Sequence, residues 1–242
     1  MTFTDPATTG TFADSYRAAR IPASGPIDTR PISMTPADRA MFDPIWRAVL
    51  PETRARSNDI HLPISLAYAE RLCVAHPEAD AEVVLVATLL HDTGWGRVDE
   101  SRIISEGFAG DWRKARIRYE HEHQGCEIAR EVLPPLGYSN DFIERVTAII
   151  DGHDTRPTAY SLEDALMRDA DRLWRFDQVG IALASSWFGT DPTSYVDRLR
   201  SEIVPELISQ AGYEMAIADL ERSAELLRTE VLRPEPIRED AQ

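Results

Sequence analysis

Six histidines and the aspartates beside them are the residues of this 242-residue chain most able to do chemistry. The segment VVLVATLLHDTGWG, residues 83–96, runs eight almost purely apolar residues straight into His91 and Asp92. An ionised carboxylate buried without a partner is heavily penalised. Imidazoles and carboxylates converging on one point relieve that penalty by holding a cation. A His-Asp pair at the end of the most hydrophobic stretch is therefore a candidate metal site.

Helical phase separates inward histidines from outward ones. Phe142, Val146, Ile149, Ile150 and His153 form one stripe, which His153 ends. Ile117, His121, Gly125, Ile128 and Val132 form another, whereas His123 shares a more polar side with Tyr119, Cys126 and Arg130. His61 stacks with Ile64, Tyr68 and Leu72, and His91 shares a phase with Val84 and Thr88. His76 precedes a proline and reads as a C-terminal cap. A lone histidine on an apolar face is ordinarily a hydrogen-bonded core residue. Four of them, each on a different helix, would lose their hydration together unless something common satisfied them. LMRDADRLW adds a carboxylate: periodicity through Leu166 and Leu173 leans toward Asp169 as the inward one and leaves Asp171 open.

The elements that must position these groups read as helix after helix, over about 36–50, 58–76, 79–92, 113–133, 141–153, 161–187, 193–210 and 213–232. No alternating pattern runs long enough for a sheet, so the fold class is all-α. Thr35 reads as an N-cap with Pro36 and Asp38 behind it, and Asp141 with Glu144 as a capping box. The third helix, apolar all round, belongs at the centre. The domain expectation is an extended N-terminal arm over 1–34, a helical domain over 35–232 and a polar tail over 233–242. In the last helix Ala216, Ile217, Leu220, Ala224, Leu227 and Val231 share a phase that packs on the bundle or serves a homodimer.

The pattern His61 … His91-Asp92 … Asp171 resembles the HD superfamily, whose H…HD…D metal ligands sit on a helical bundle. LLHDTGWG is similar to that family's LLHDxGK segment and DADRLW to its ADxL segment, the similarity covering about residues 55–180. In the family the ligand is the aspartate directly before the RL pair, which selects Asp171 and leaves Asp169 to support it. HEHQG resembles the family's HPxxG, which maps onto His121, and IIDGHD resembles the segment of the next histidine, His153. The resemblance thus implies six metal ligands, His61, His91, Asp92, His121, His153 and Asp171, holding two divalent ions (Fe, Mn, Mg or Zn) bridged by Asp92.

Two cations about 3.5–4 Å apart acidify a water and neutralise an attacked phosphoryl group. The expected function is a metal-dependent phosphohydrolase of a small phosphorylated metabolite or nucleotide, with Asp92 and His91 as the catalytic pair. Arg97, Arg156, Arg168 and Arg172, a few residues from ligands, are the expected phosphate-binding groups. The alternative implied by the same resemblance is a mixed-valent di-iron oxygenase cleaving a C–C or C–P bond of a small diol or phosphonate, since His and carboxylate ligands also suit iron. Trp95 stands where many relatives carry lysine, and its ring would narrow the pocket. A purely structural metal fits less well, because structural sites are usually cysteine-rich.

Composition limits the partners to a small-molecule substrate. A net charge of −15 opposes nucleic acid and anionic membranes. RKARIR, residues 113–118, is the nearest approach to a basic patch and reads as a solvated helix face. No apolar run reaches the roughly 18 residues of a membrane helix. Two cysteines, Cys73 and Cys126, with no secretory leader point to the cytoplasm.

Overall fold

Asp80 accepts a hydrogen bond from the Val83 amide and so starts the helix around which the others pack. In the computed structural model, which describes residues 19–32, 42–107 and 115–227, the chain is all-α. The helices are α1 (Asp43–Val49), α2 (Asn58–Ala75), α3 (Ala81–Leu90), α4 (Glu100–Gly107), α5 (Arg116–Val132), α6 (Asn140–Ile150), α7 (Leu162–Leu173), α8 (Gln178–Trp187), α9 (Pro192–Arg198) and α10 (Gln210–Leu227). From Val83 to Leu90 every residue of α3 but Leu85 is buried, as a helix apolar on all sides requires. Its Val84 joins a core shared with α2, α7, α8 and α10. Val83, Val86, Ala87, Leu89 and Leu90 face a second core built mainly with α1, α5 and α6.

Several boundaries differ from the expected ones, each for a local reason. The helix expected over 161–187 breaks after Leu173: a tight turn, Trp174–Phe176, leads to Asp177, which accepts from the Val179 amide and restarts the chain as α8. The helix expected over 193–210 ends at Arg198 and gives way to a widened turn, Leu199–Ile203, and a tight one, Val204–Glu206, which contains Pro205. The cap of α6 is Ser139, accepting from Phe142, and not the Asp141–Glu144 pair. That helix stops at Ile150, so His153 lies in the turn beyond it. Helix α4 was not anticipated. The Thr35 cap, with Pro36 and Asp38, falls outside the described residues, as do residues 1–18, 113–114 of the basic run, Val231 and the 233–242 tail.

Of the N-terminal arm, residues 19–32 lie against the bundle. Ile21 pairs with the Ile208–Gln210 segment, and the Ser24 and Gly25 amides both donate to the Ala75 carbonyl. Among the described residues no helix is long and apolar enough to cross a membrane.

One close approach positions the site. A Cβ on Gly94 would lie 1.9 Å from the His121 carbonyl oxygen. The turn Thr93–Arg97, which follows Asp92, therefore rests backbone to backbone on α5. Only glycine permits that contact.

Candidate metal centre

The six expected ligands come from five segments and meet in one place. His61 is on α2, His91 caps the end of α3, Asp92 follows it, His121 is on α5, His153 is in the turn after α6, and Asp171 is on α7. All are buried. Their ligand atoms form two groups that share one carboxylate: His61, His91 and Asp92, then Asp92, His121 and His153, each within 4.8 Å. Asp171 closes the first group, its Oδ1 lying 3.1 Å from His61 Nε2 and 3.4 Å from His91 Nε2.

These spacings suit a shared cation. Atoms bound about 2.1 Å from one ion, at octahedral or tetrahedral angles, lie about 3.0–3.4 Å apart. In the second group His121 Nε2 and His153 Nε2 each lie 3.4 Å from Asp92 Oδ1 and 3.5 Å from one another. Asp92 turns its other oxygen toward the first group, with Oδ2 3.4 Å from His61 Nδ1 and 4.0 Å from His91 Nε2.

Backbone and amide contacts fix which imidazole nitrogen faces inward. His91 Nδ1 donates to the Thr88 carbonyl at 2.7 Å, and His153 Nδ1 donates to that of Ile150 at 2.8 Å. In both, the Nε2 lone pair is left to the centre. His91 Nε2, buried, has no hydrogen-bond partner, which is how a ligand atom presents itself. Asn58 Nδ2 donates to the Asp92 carbonyl at 2.8 Å, which orients its Oδ1 toward His61 Nδ1 at 3.2 Å. His61 then offers Nε2 as the acceptor.

The electrostatics attract positive charge. Burial works against ionising Asp92, but His91, His121, His153 and His61 outweigh it and hold the carboxyl well below its usual range. Burial likewise opposes Asp171, and Arg175 with His61 and His91 overcomes it. Burial pulls His153 down, yet Asp92, Asp154 and Glu122 lift it to about 10.

Two indoles clamp the cluster. Trp95 stacks on His121 with centroids 4.0 Å apart, and its Nε1 donates to Asp92 Oδ1 at 3.0 Å. Trp174 lies 4.5 Å from the His61 ring. Through its hydrogen bond Trp95 orients the shared carboxylate.

The four expected phosphate-binding arginines are engaged elsewhere. Arg97 forms a fork with Glu131 and pairs with Glu52. Arg156 and Arg168 both bind Asp164, and Arg168 also donates to the carbonyls of Gly152 and Arg156. Arg172 binds Glu206 and the Arg168 carbonyl. Nearness in sequence did not carry these side chains to the cluster, because other carboxylates and backbone carbonyls engage them. The arginines that do reach it are Arg56, 3.6 Å from Asp92 Oδ2, Arg175, 3.9 Å from Asp171 Oδ2, and Arg118, which pairs with Asp154.

Asp154 was not anticipated either. Its Oδ2 lies 3.7 Å from His121 Nε2, and Arg118 with His153 and His121 overcomes burial to hold it far below its usual value. Glu122, buried next to His121, accepts from the Asp154 and Thr155 amides and the Thr155 hydroxyl, fixing the turn that carries His153. Asp169 accepts from the Ile208 and Ser209 amides and the Ser209 hydroxyl, so it anchors the segment before α10 and does not touch the ligands. A carboxylate directly after each of two candidate ligands (Glu122 after His121, Asp154 after His153) was the signal in the sequence for the first two.

Residues 59–175 match the family model of the HD domain. The chain is also similar to the crystal structure of a predicted HD superfamily hydrolase from an uncultured Thermotogales bacterium. That likeness has a TM-score of 0.51 at 21% identity and covers 78% of this chain and 90% of the other. No curated protein matches the sequence significantly.

Proposed function

Since residues 59–175 are an HD domain and the chain thereby belongs to the HD superfamily, we propose that it is a metal-dependent phosphohydrolase of a small phosphorylated metabolite or nucleotide. The observation that carries this reading is the pair of donor groups sharing Asp92, with the buried lone pair of His91 Nε2 aimed between carboxylates. His61, His91, Asp92 and Asp171 would hold one divalent ion, and Asp92, His121 and His153 a second. Bound there, the metal supplies Lewis acidity toward a phosphoryl group and a water acidic enough to attack near neutral pH.

The chain's own groups do the rest. Trp95 and Asn58 hold Asp92 in place through its Oδ1 and its carbonyl. Arg118 keeps Asp154 ionised, so Asp154 Oδ2 can accept a hydrogen bond from the attacking water. Arg56 and Arg175 stand at the cluster as cations for the phosphoryl charge.

The test couples metal analysis of freshly purified protein to phosphate release from a panel of phosphomonoesters. About two ions per chain with turnover is the expected result, with turnover and the ion of the first group lost in Asp171→Ala. The imidazole and carboxylate donor set also suits iron, which gives the di-iron oxygenase as the second reading. An Fe(II)/Fe(III) EPR signal perturbed by a diol or phosphonate, without phosphate release from any monoester, would replace the hydrolase with it.

A further inference from the structure

Arg56 and Ser57 are consecutive, neither is glycine, and both hold a left-handed backbone with φ of 55°. Residues with a Cβ avoid that region, and such strain clusters at binding sites. Here it turns the chain from the Leu50–Ser57 segment into α2 and sends the Arg56 guanidinium inward. Its Nη1 lies 3.6 Å from Asp92 Oδ2, and its carbon lies 4.7 Å from the centre of the Trp95 ring and 5.7 Å from that of Trp187. The same side chain lines a cavity of about 290 Å³ whose walls include Arg54, Ile103, Trp187 and Phe188, with Glu100 the acidic member among the described residues. Arg54, Arg56, Trp187 and Phe188 lie outside the 59–175 match to the HD domain, so this cavity is built largely by the chain's flanking segments.

We infer that this cavity is the substrate pocket and that Arg56 is its specificity residue. Arg56 seats a phosphoryl group beside Asp92 while an aromatic or apolar body lies against Trp187 and Phe188. The inference rests on the phosphohydrolase reading above and names its substrate class: a compact aryl or alkyl phosphomonoester. A guanidinium presents a planar pair of donors that match two phosphoryl oxygens, and flanking indole faces limit its hydration and its rotamers. Among the described residues that line it, Arg54 and Arg56 stand against Glu100, and Arg54 adds a second cation to the one that faces Asp92. Its volume lies just below the roughly 300–1,000 Å³ usual for small-molecule sites, which suits a single-ring phosphoester better than a larger nucleotide.

The experiment is titration calorimetry of the full-length, Mn(II)-loaded protein with phenylphosphonate and inorganic phosphate, with metal content measured on each sample. Wild type is expected to bind phenylphosphonate at least about tenfold more tightly than phosphate. Arg56→Gln should weaken both by about tenfold or more at unchanged metal content. Phe188→Ala, an exposed position, should remove the preference and keep the affinity for phosphate. Binding of neither probe by wild type, unchanged affinities in Arg56→Gln, or a preference that survives Phe188→Ala would overturn the inference. If Arg56→Gln fails to fold or to hold metal, the Phe188→Ala comparison decides alone. Failure of the hydrolase reading shows separately, as wild-type protein that binds phenylphosphonate but releases no phosphate from phenyl phosphate.

Discussion

His121 and His123 lie two residues apart on α5, yet one is fully buried among carboxylates and the other is exposed. Helical phase alone separated them, since the helix turns about 200° over two residues. His121→Ala should therefore remove about one metal ion per chain while His123→Ala removes none, read by elemental analysis; equal losses would show that the second group of ligands is not a metal site. Asp169 and Asp171 were harder to tell apart. Both are inward, as periodicity allowed, but they serve different ends: Asp171 faces the imidazoles and Asp169 holds the Ile208–Ser209 backbone. Asp171→Ala should abolish metal binding at the first group. Asp169→Ala should keep the metal and lower stability by about 3 kcal/mol, the scale for leaving buried donors unpaired, measurable in urea. The arginines show the limit of reading residues by their neighbours in sequence. Arg97, Arg156, Arg168 and Arg172 are close to ligands along the chain and bound elsewhere in space, whereas Arg56 and Arg118 depend on a tertiary arrangement that no short motif records.

At the scale of elements, each ligand sits at a point where a helix starts, stops or is crossed closely. The apolar run of α3 was legible because a helix buried on all sides leaves a composition no other element shares. Its end at His91-Asp92 depends on the turn Thr93–Arg97 lying on α5, which needs a residue without a side chain at Gly94. Gly94→Ala would force that turn and α5 apart. It is expected to lower stability by roughly 1–3 kcal/mol and to reduce metal content, because His121 moves with its carbonyl. The turn after α6 has a similar dependence on Glu122, which accepts two of its backbone amides. In Glu122→Ala the Asp154 and Thr155 amides should exchange hydrogen faster than in wild type, and the ion held by His153 should be lost first. Unchanged exchange at both amides would show that Glu122 does not hold the turn. The breaks at Asp177 and within 198–209 were missed for an identifiable reason. Apolar periodicity runs on through them, and only the cap chemistry of Asp177 and the ring of Pro205 mark the stops.

On the scale of the whole molecule, α3 lies between two apolar cores and the polar cluster lies at its end. Cys73 falls in one core and Cys126 in the other. Burial pushes both thiols up to about 12, away from the reactive thiolate. Near pH 8 the thiolate fraction of each is then about one in ten thousand. Native protein should resist a thiol reagent such as DTNB at that pH and both cysteines should react after unfolding; rapid labelling of one thiol in the native state would mean that its core opens. Metal loading should raise the melting temperature, because a cation bound only by the folded chain stabilises it by mass action. A chelator should reverse that rise.

The two indoles that flank the ligands face different halves of the cluster, Trp95 against His121 and Trp174 against His61. That division makes the protein its own optical instrument. With Trp46, Trp112, Trp174 and Trp187 replaced by phenylalanine, quenching by a paramagnetic ion reports on filling of the half beside Trp95, and the variant that keeps Trp174 as its one indole reports on the other. Whether the halves fill one after another or together can then be followed in stopped-flow emission without any added label.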